Sequence, residues 1–179
     1  FWVARMALQS KHFLNKRPFK KCLIHGLIRD EQGRKMSKSL GNGVDPFDLI
    51  DKYGCDAMRY FLTTNATPGQ DLRYSDEKMA SSWNYINKIW NISRFIQMNL
   101  NNTGYNDEPI DYDHLQVIDK WILNRKENLI KEVNTLYDNF ELGEVAKAIY
   151  NFTWDDLASW YLELTKVTFQ NGSQKEKIN

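Results

Sequence analysis

Three stretches downstream of Ser75 carry an apolar residue at every third or fourth position, and this spacing limits the fold more than any other feature of the chain. The first holds Met79, Trp83, Ile86 and Trp90, with Ile89, Ile92 and Ile96 beside them. The second holds Leu115, Ile118, Ile122, Leu129, Val133 and Leu136. The third holds Val145, Ile149, Phe152, Leu157, Trp160 and Leu164. A helix turns once every ~3.6 residues, so each set lies on one face and reads as core rather than as a cofactor-binding row. Ser75 is placed to cap the first helix, with Asp76 and Glu77 favourably in its first turn. Asn101-Asn102-Thr103-Gly104 breaks the pattern, and an acidic linker runs on through Asp113. Three long amphipathic helices with short connections predict an antiparallel bundle over residues 75–169, followed by a polar tail at 170–179 that is expected to fray.

The front of the chain has a different grammar. Phe1, Val3, Met6, Ala7, Leu8 and Phe13 fit a largely buried helix that Pro18 brings to an end. The run Cys22-Leu23-Ile24-His25-Gly26-Leu27-Ile28 reads as a strand of a parallel sheet whose other strands lie upstream. A glycine-bounded polar loop follows. Helix, strand and loop in that order form the last unit of a doubly wound α/β fold, in which ligands gather beyond the carboxyl ends of the strands. Asp45-Pro46 then starts a helix and Gly54 stops it. Asp56 opens another helix through Leu62, and Thr67-Pro68-Gly69 is a turn. The expected fold is mainly α: an antiparallel helical bundle preceded by the remnant of a Rossmann-like α/β domain. The expected division is 1–43 for that remnant, 44–74 for a helical connection, 75–169 for the bundle and 170–179 for the tail.

Charge is distributed unevenly. The chain as a whole carries +1, yet residues 11–38 hold nine lysines and arginines against Asp30 and Glu31, a local net of +7. Such asymmetry suits a local anion site, with a merely solvated basic face as the alternative. Cys22 and Cys55 stand far apart with no metal-binding spacing, which fits a reducing cytoplasmic setting better than a disulfide framework. No apolar run is long enough to span a membrane. The sequence opens on Phe1 within an apparent helix and is expected to be a piece of a longer protein.

The loop itself is Gly33-Arg34-Lys35-Met36-Ser37-Lys38-Ser39-Leu40-Gly41-Asn42. Two ammonium groups three residues apart, hydroxyls between and after them, and free backbone N–H donors suit a polyphosphate. By itself the stretch could equally be a solvated basic turn. Lys-Met-Ser-Lys-Ser is, however, letter for letter the second signature loop of the class I aminoacyl-tRNA synthetases. The wider sequence resembles the valyl-tRNA synthetase family over nearly its whole length. Phe1-Trp2-Val3-Ala4-Arg5-Met6 is similar to the helix before the last Rossmann strand. His25-Gly26-Leu27-Ile28-Arg29-Asp30, with the loop, resembles the signature region of the valyl, isoleucyl and leucyl branch. Pro68-Gly69-Gln70-Asp71-Leu72-Arg73-Tyr74-Ser75 and Trp83-Asn84-Tyr85-Ile86-Asn87-Lys88-Ile89-Trp90-Asn91 resemble the valyl members. Trp154-Asp155-Asp156 and Trp160-Tyr161-Leu162-Glu163 resemble a late bundle helix of the branch.

The resemblance implies ATP-dependent charging of tRNA(Val) with valine, ATP arriving with Mg2+ as substrate and no metal site residing in this segment. It implies that Lys38 holds the departing phosphates with help from Lys35, and that Ser37, Ser39 and the backbone amides at Met36 and its neighbours complete the cradle. Met36 itself reads as packing. The bundle would be an anticodon-binding domain. There Arg94 and Phe95 are candidates for tRNA contact, with a core role as the alternative for Phe95. Lys88 and Arg125 are candidates for phosphate contact, with a solvated face as the alternative. A monomer is expected. The departures are as informative. The first signature, of His-x-Gly-His type, is absent, and so is the editing insertion. Editing answers the inability of an apolar pocket to reject threonine strongly, a limit for which valyl enzymes are a standard illustration. The segment is therefore expected to be inactive alone. An isoleucyl or leucyl segment, and a non-catalytic tRNA-binding module, are the competing readings.

Overall fold

The computed structural model describes residues 1–65, 67–105 and 109–178. Residues 106–108 of the expected acidic linker and residue 179 of the tail lie outside the described residues. The chain is mostly helical with one small parallel sheet. In order come α1 (Trp2–Leu14), β1 (Ile28–Arg29), α2 (Pro46–Tyr53), α3 (Cys55–Thr64), β2 (Leu72–Arg73), α4 (Asp76–Thr103) and α5 (Val117–Asp138). A long rod follows, made of α6 (Leu142–Asn151), a π-helical segment (Phe152–Tyr161) and α7 (Leu162–Asn171), and α8 (Gln174–Ile178) ends the chain.

Local chemistry accounts for the helix boundaries. The Asp45 carboxylate accepts the Phe47 N–H at 2.8 Å, and Pro46 needs no donor partner in the first turn. Ser75 Oγ accepts from the Lys78 N–H at 3.4 Å. Gln116 and Asp119 form a reciprocal capping box at the start of α5. Gly104 closes α4 at φ 72°, a conformation that costs a glycine little.

The sheet departs from expectation in length and partner. Only Ile28–Arg29 of the expected strand pairs, and its partner is downstream, with Ile28 opposite Leu72 and Arg29 opposite Arg73. Backbone N–H groups of Gly69, Leu72 and Tyr74 donate to the carbonyls of Ile24, Leu27 and Arg29 at 3.1, 2.8 and 2.9 Å. This close pass requires Gly26, because a Cβ there would stand 1.7 Å from the Gln70 carbonyl oxygen. Helix α1 also differs: it buries no residue, and Trp2 is 73% exposed. The ring contacts of its apolar side chains are within the helix itself, Arg5 over Trp2 and His12 edge-on to Phe13.

The core joins the sheet to the helices. Phe61 from α3, Leu72 and Tyr74 from the β2 region, and Met79 from α4 form one buried cluster, and Met36, Leu49 and Met58 pack against it. Along α4 the buried line runs through Met79, Ser82, Tyr85 and Ile92, whereas Trp83 and Trp90 face outward, Trp90 at 69% exposure. Met79 and Ile92 of the expected stripe are thus buried and Ile86 and Ile96 half-buried, while Ser82 and Tyr85 take the inward places expected for Trp83 and Trp90. The cause is a column of rings from three other elements. Tyr60 of α3 meets Tyr85 at 4.7 Å, Tyr85 meets Tyr150 of α6 at 4.8 Å, and Tyr150 stacks on Trp154 at 5.5 Å and 13°.

The third helical stretch is not one uniform α-helix. Within the π segment the Leu162 N–H donates to the Leu157 carbonyl, five residues back. The wider turn rotates the apolar row, so Ala158 is buried while Trp160 and Leu164 face outward. Helix α5 packs on α6 and the π segment, and α4 packs chiefly on α3. At the end of the chain, where fraying was expected, α8 lies against α4. Gln174 donates to the Thr103 carbonyl, and Lys175 pairs with Asp111 at 2.9 Å.

Candidate functional site

The basic loop begins where β1 ends, and one buried carboxylate organises it. Asp30 is 6% exposed. Its Oδ1 accepts the Arg34 backbone N–H at 2.7 Å, and its Oδ2 accepts Arg34 Nε at 2.7 Å and Asn42 Nδ2 at 2.8 Å. A tight turn brings these groups together: the Gly33 N–H donates to the Asp30 carbonyl at 2.9 Å, with Gly33 at φ 80°. The Asn42 amide and then the Arg34 backbone and guanidinium favour the charged carboxylate, outweigh the cost of its burial, and hold its pKa down to about 2.

Between these anchors the chain makes a short bulge. Asn42 Nδ2 also reaches the Lys35 carbonyl at 3.3 Å, and Asn42 Oδ1 accepts the Ser37 N–H at 3.0 Å. Ser37 Oγ caps a single 3-10 turn over Lys38–Leu40 and lies 3.2 Å from Ser39 Oγ. Met36 points inward onto the Phe61–Met79 cluster. Lys35, Lys38 and Ser39 are exposed, and neither lysine forms an ion pair among the described residues. The outcome is a fixed backbone, one inward side chain and two uncommitted ammonium groups, chemistry that suits an incoming polyphosphate.

A second carboxylate braces the same region. Asp71 Oδ1 accepts the Leu27 N–H at 2.8 Å and Asp71 Oδ2 pairs with Arg29 Nε, crossing from the β2 side to β1. Those two contacts, the backbone one first, lower its pKa. The Arg73 guanidinium lies against Gly33, 2.8 Å from where a Cβ would stand. Asp30, Asp71 and Arg73 were not singled out from the sequence as site residues. Asp30 had a legible signal, as one of only two acids in a stretch of net +7. Asp71 had none, because its partners lie more than forty residues away.

The four bundle candidates do not converge on one spot. Lys88 and Phe95 line a shallow groove between α4 and the rod. Lys88 Nζ sits 5.0 Å from the Trp154 ring centroid, and Phe95 meets Phe169 edge-on at 6.4 Å with Lys166 5.9 Å from its ring. Arg94 is exposed on the adjoining face. Arg125 stands apart on α5, where its Nε is paired with Asp156 at 2.8 Å. A groove of about 480 Å3 opens between α3, α4 and α6, lined by Tyr60, Lys78, Lys147 and Tyr150 and by no residue of the basic loop. Among the described residues no cluster of three or more His, Cys, Asp or Glu is placed to hold a metal, and no helix is long and apolar enough to cross a membrane.

Comparison with known proteins gives these features a setting. Residues 1–75 match the family model of class I tRNA synthetases (I, L, M and V), and residues 119–179 match the anticodon-binding domain of tRNA ligases. Valine–tRNA ligase of Anoxybacillus flavithermus is 54% identical over 178 residues, covering 99% of this chain and 20% of that protein. Valine–tRNA ligase of Listeria monocytogenes is 56% identical over 168 residues, covering 93% and 19%. The chain therefore spans about 20% of the length of the curated relatives it matches. Among solved structures, a methionyl-tRNA synthetase of Mycobacterium tuberculosis in complex with methionyl-adenylate matches at TM-score 0.69 and 26% identity, over 86% of this chain and 30% of that one. A LeuRS of Agrobacterium radiobacter, in a ternary complex with tRNA and LeuAMS, shares the fold at TM-score 0.73 and 22% identity, over 98% of this chain and 23% of that one. The front segment, the anticodon-binding segment and the near-continuous identity to valine–tRNA ligases agree, and the chain belongs to the class I tRNA synthetases as a segment of that family's valyl group.

Proposed function

We propose that this chain is the ATP-loop and tRNA-binding part of a valine–tRNA ligase. In the first step the valine carboxylate attacks the α-phosphorus of ATP, the bond to the bridging oxygen breaks, and pyrophosphate leaves. In the second step the terminal ribose of tRNA(Val) takes the valyl group and AMP leaves. As the α–β bond breaks, negative charge builds on the departing phosphates. Lys38, with Lys35 beside it, meets that charge and binds it more tightly than the ground state, which speeds the step. Ser37, Ser39 and the amides around Met36 complete the cradle, with Met36 as its inward anchor. Mg2+ enters with ATP as part of the substrate.

Residues 1–43 supply this loop, residues 44–74 connect it to the helices, and residues 75–169 form a bundle of the anticodon-binding type. Arg94 and the accessible part of Phe95 contact unpaired bases, for which an aromatic edge and a guanidinium are suited. Lys88 serves the phosphates from the same groove. Arg125 serves them from α5 with the terminal amines that its Asp156 pairing leaves available. The parent protein acts in the cytoplasm as a monomer.

The observation that carries the proposal is 54% identity to valine–tRNA ligases over 99% of the chain, loop included. The test is valine-dependent ATP–pyrophosphate exchange by the full-length protein, with Lys38→Ala expected to lower the turnover steeply. Unchanged exchange would remove the loop from the mechanism. The segment alone is a tRNA-binding module: it binds tRNA(Val) in a salt-dependent gel shift but exchanges no pyrophosphate. Measurable exchange by these 179 residues would overturn that assignment.

A further inference from the structure

We infer that Asn42, bolted to Asp30, is the positioning residue that sets where the Lys35 and Lys38 ammonium groups stand. The inference rests on the phosphate-loop reading given above. Beyond the isolated antiparallel bridge of Lys35 to Arg29 at the loop's start, residues 36–42 have little else to hold them. Their internal backbone contact is the Gly41 N–H to the Lys38 carbonyl at 3.3 Å, supplemented by the Ser37 cap at 3.4 Å. The single Asn42 carboxamide makes three bonds. It grips the Lys35 carbonyl and the Ser37 N–H on either side of Met36, and it donates to Asp30. Asp30 is in turn buried at the end of β1 and clamped by Arg34 through backbone and side chain. The loop is thus tied to the sheet by the Lys35–Arg29 bridge at its start and by the Asn42 amide across its middle and end, while Met36 ties it to the core.

The chemistry demands an amide at this position. Bonding Lys35 and Asp30 needs a donor, and bonding Ser37 needs an acceptor on the same planar group. Aspartate would keep the acceptor, lose the donor, and set a second carboxylate beside Asp30. Alanine would lose all three bonds. A lysine ammonium on a flexible stem acts on a transferring phosphoryl group only if its backbone root is fixed, and small misplacements of such a group cost large factors in rate.

A double-mutant cycle in the full-length protein tests this, read by ATP–pyrophosphate exchange. Asn42→Ala is expected to lower kcat by roughly 10- to 100-fold with the KM for valine unchanged. In a Lys38→Ala background the same change is expected to cost less than about threefold, because a residue that acts chiefly through Lys38 then has only the assisting Lys35 left to position. Asn42→Asp is expected to be as damaging as Asn42→Ala. The exchanged pair Asp30→Asn with Asn42→Asp is expected to give no rescue, because an aspartate at position 42 cannot donate to the Lys35 carbonyl and an amide at position 30 gives up the Arg34 ion pair. Full activity of Asn42→Ala, full activity of Asn42→Asp, or an equal loss from Asn42→Ala in the Lys38→Ala background would each overturn the inference. If Asn42→Ala does not fold, Asn42→Asp takes its place in the same cycle with Lys38→Ala. If Lys38→Ala itself has no effect, the phosphate-loop reading fails instead, so the two failures are distinguishable.

Discussion

Replacing Met79 and Trp90 one at a time separates two accounts of α4. Periodicity alone puts both on a single core stripe, whereas the structure buries Met79 completely and leaves Trp90 at 69% exposure. Met79→Ala removes a side chain enclosed by Phe61, Leu72 and Tyr74. Such truncations cost about 2–5 kcal/mol, and with two rings lining the site a value near 3 kcal/mol is expected. That corresponds to about a 150-fold shift in the folding equilibrium, at ~1.36 kcal/mol per tenfold. For a chain of this size it lowers Tm by roughly 6–12 °C. Trp90→Ala removes a larger side chain from solvent and is expected to stay within about 0.5 kcal/mol, under about 2 °C. Thermal unfolding of this chain followed by circular dichroism reads both. An equal loss from the two variants, or a larger loss from Trp90→Ala, would refute the placement of the buried face on the Tyr85 side.

Three further outcomes follow from the geometry. The folded pKa of Asp30 is lowered, so its stabilising contribution is fully present above the unfolded value of 3.8 and is lost as pH falls towards about 2. An NMR titration of the Asp30 carboxyl carbon should therefore show a midpoint well under 3.8, and a midpoint at or above that value would remove the Asn42–Arg34 clamp. Gly26→Ala forces a Cβ into the Gln70 carbonyl and is expected to cost at least about 1–3 kcal/mol, with faster hydrogen exchange at the Leu72 amide. Phe95→Ala strips the edge-on contact with Phe169. It is expected to lower Tm as well as tRNA(Val) affinity in the full-length protein, and unchanged affinity with reduced Tm would leave Phe95 a purely packing residue.

Much of this molecule was legible in the one-dimensional pattern. Helix periodicity, Ser75, Asp45-Pro46 and Gly104 located the helices and several of their ends, because caps and periods are local properties of a chain. The loop lysines were legible for the same reason: Lys35 and Lys38 are recognised by spacing, and their exposure fits the absence of a long apolar run through the loop. The inward side of α5, with Ile118, Ile122, Leu129, Val133 and Leu136, is the one the spacing predicts, whereas tertiary structure alone decided the outward turn of Trp83, Trp90 and Trp160 and what holds the loop. The buried face of α4 turned towards Tyr85 because Tyr60 and Tyr150, distant in sequence, stack there. The π segment rotated Trp160 outward by a change of winding that no apolar spacing announces. Strand β1 found its partner downstream at Leu72, and Asp71 found Arg29 and Leu27 across that pairing. Asp30 could be noticed as an odd acid among bases, but its role as the loop's anchor exists only once Asn42 folds back onto it. Pairings between distant residues depend on the path of the whole chain, and that path is set by the sum of its burial and hydrogen bonding rather than by any local window of sequence.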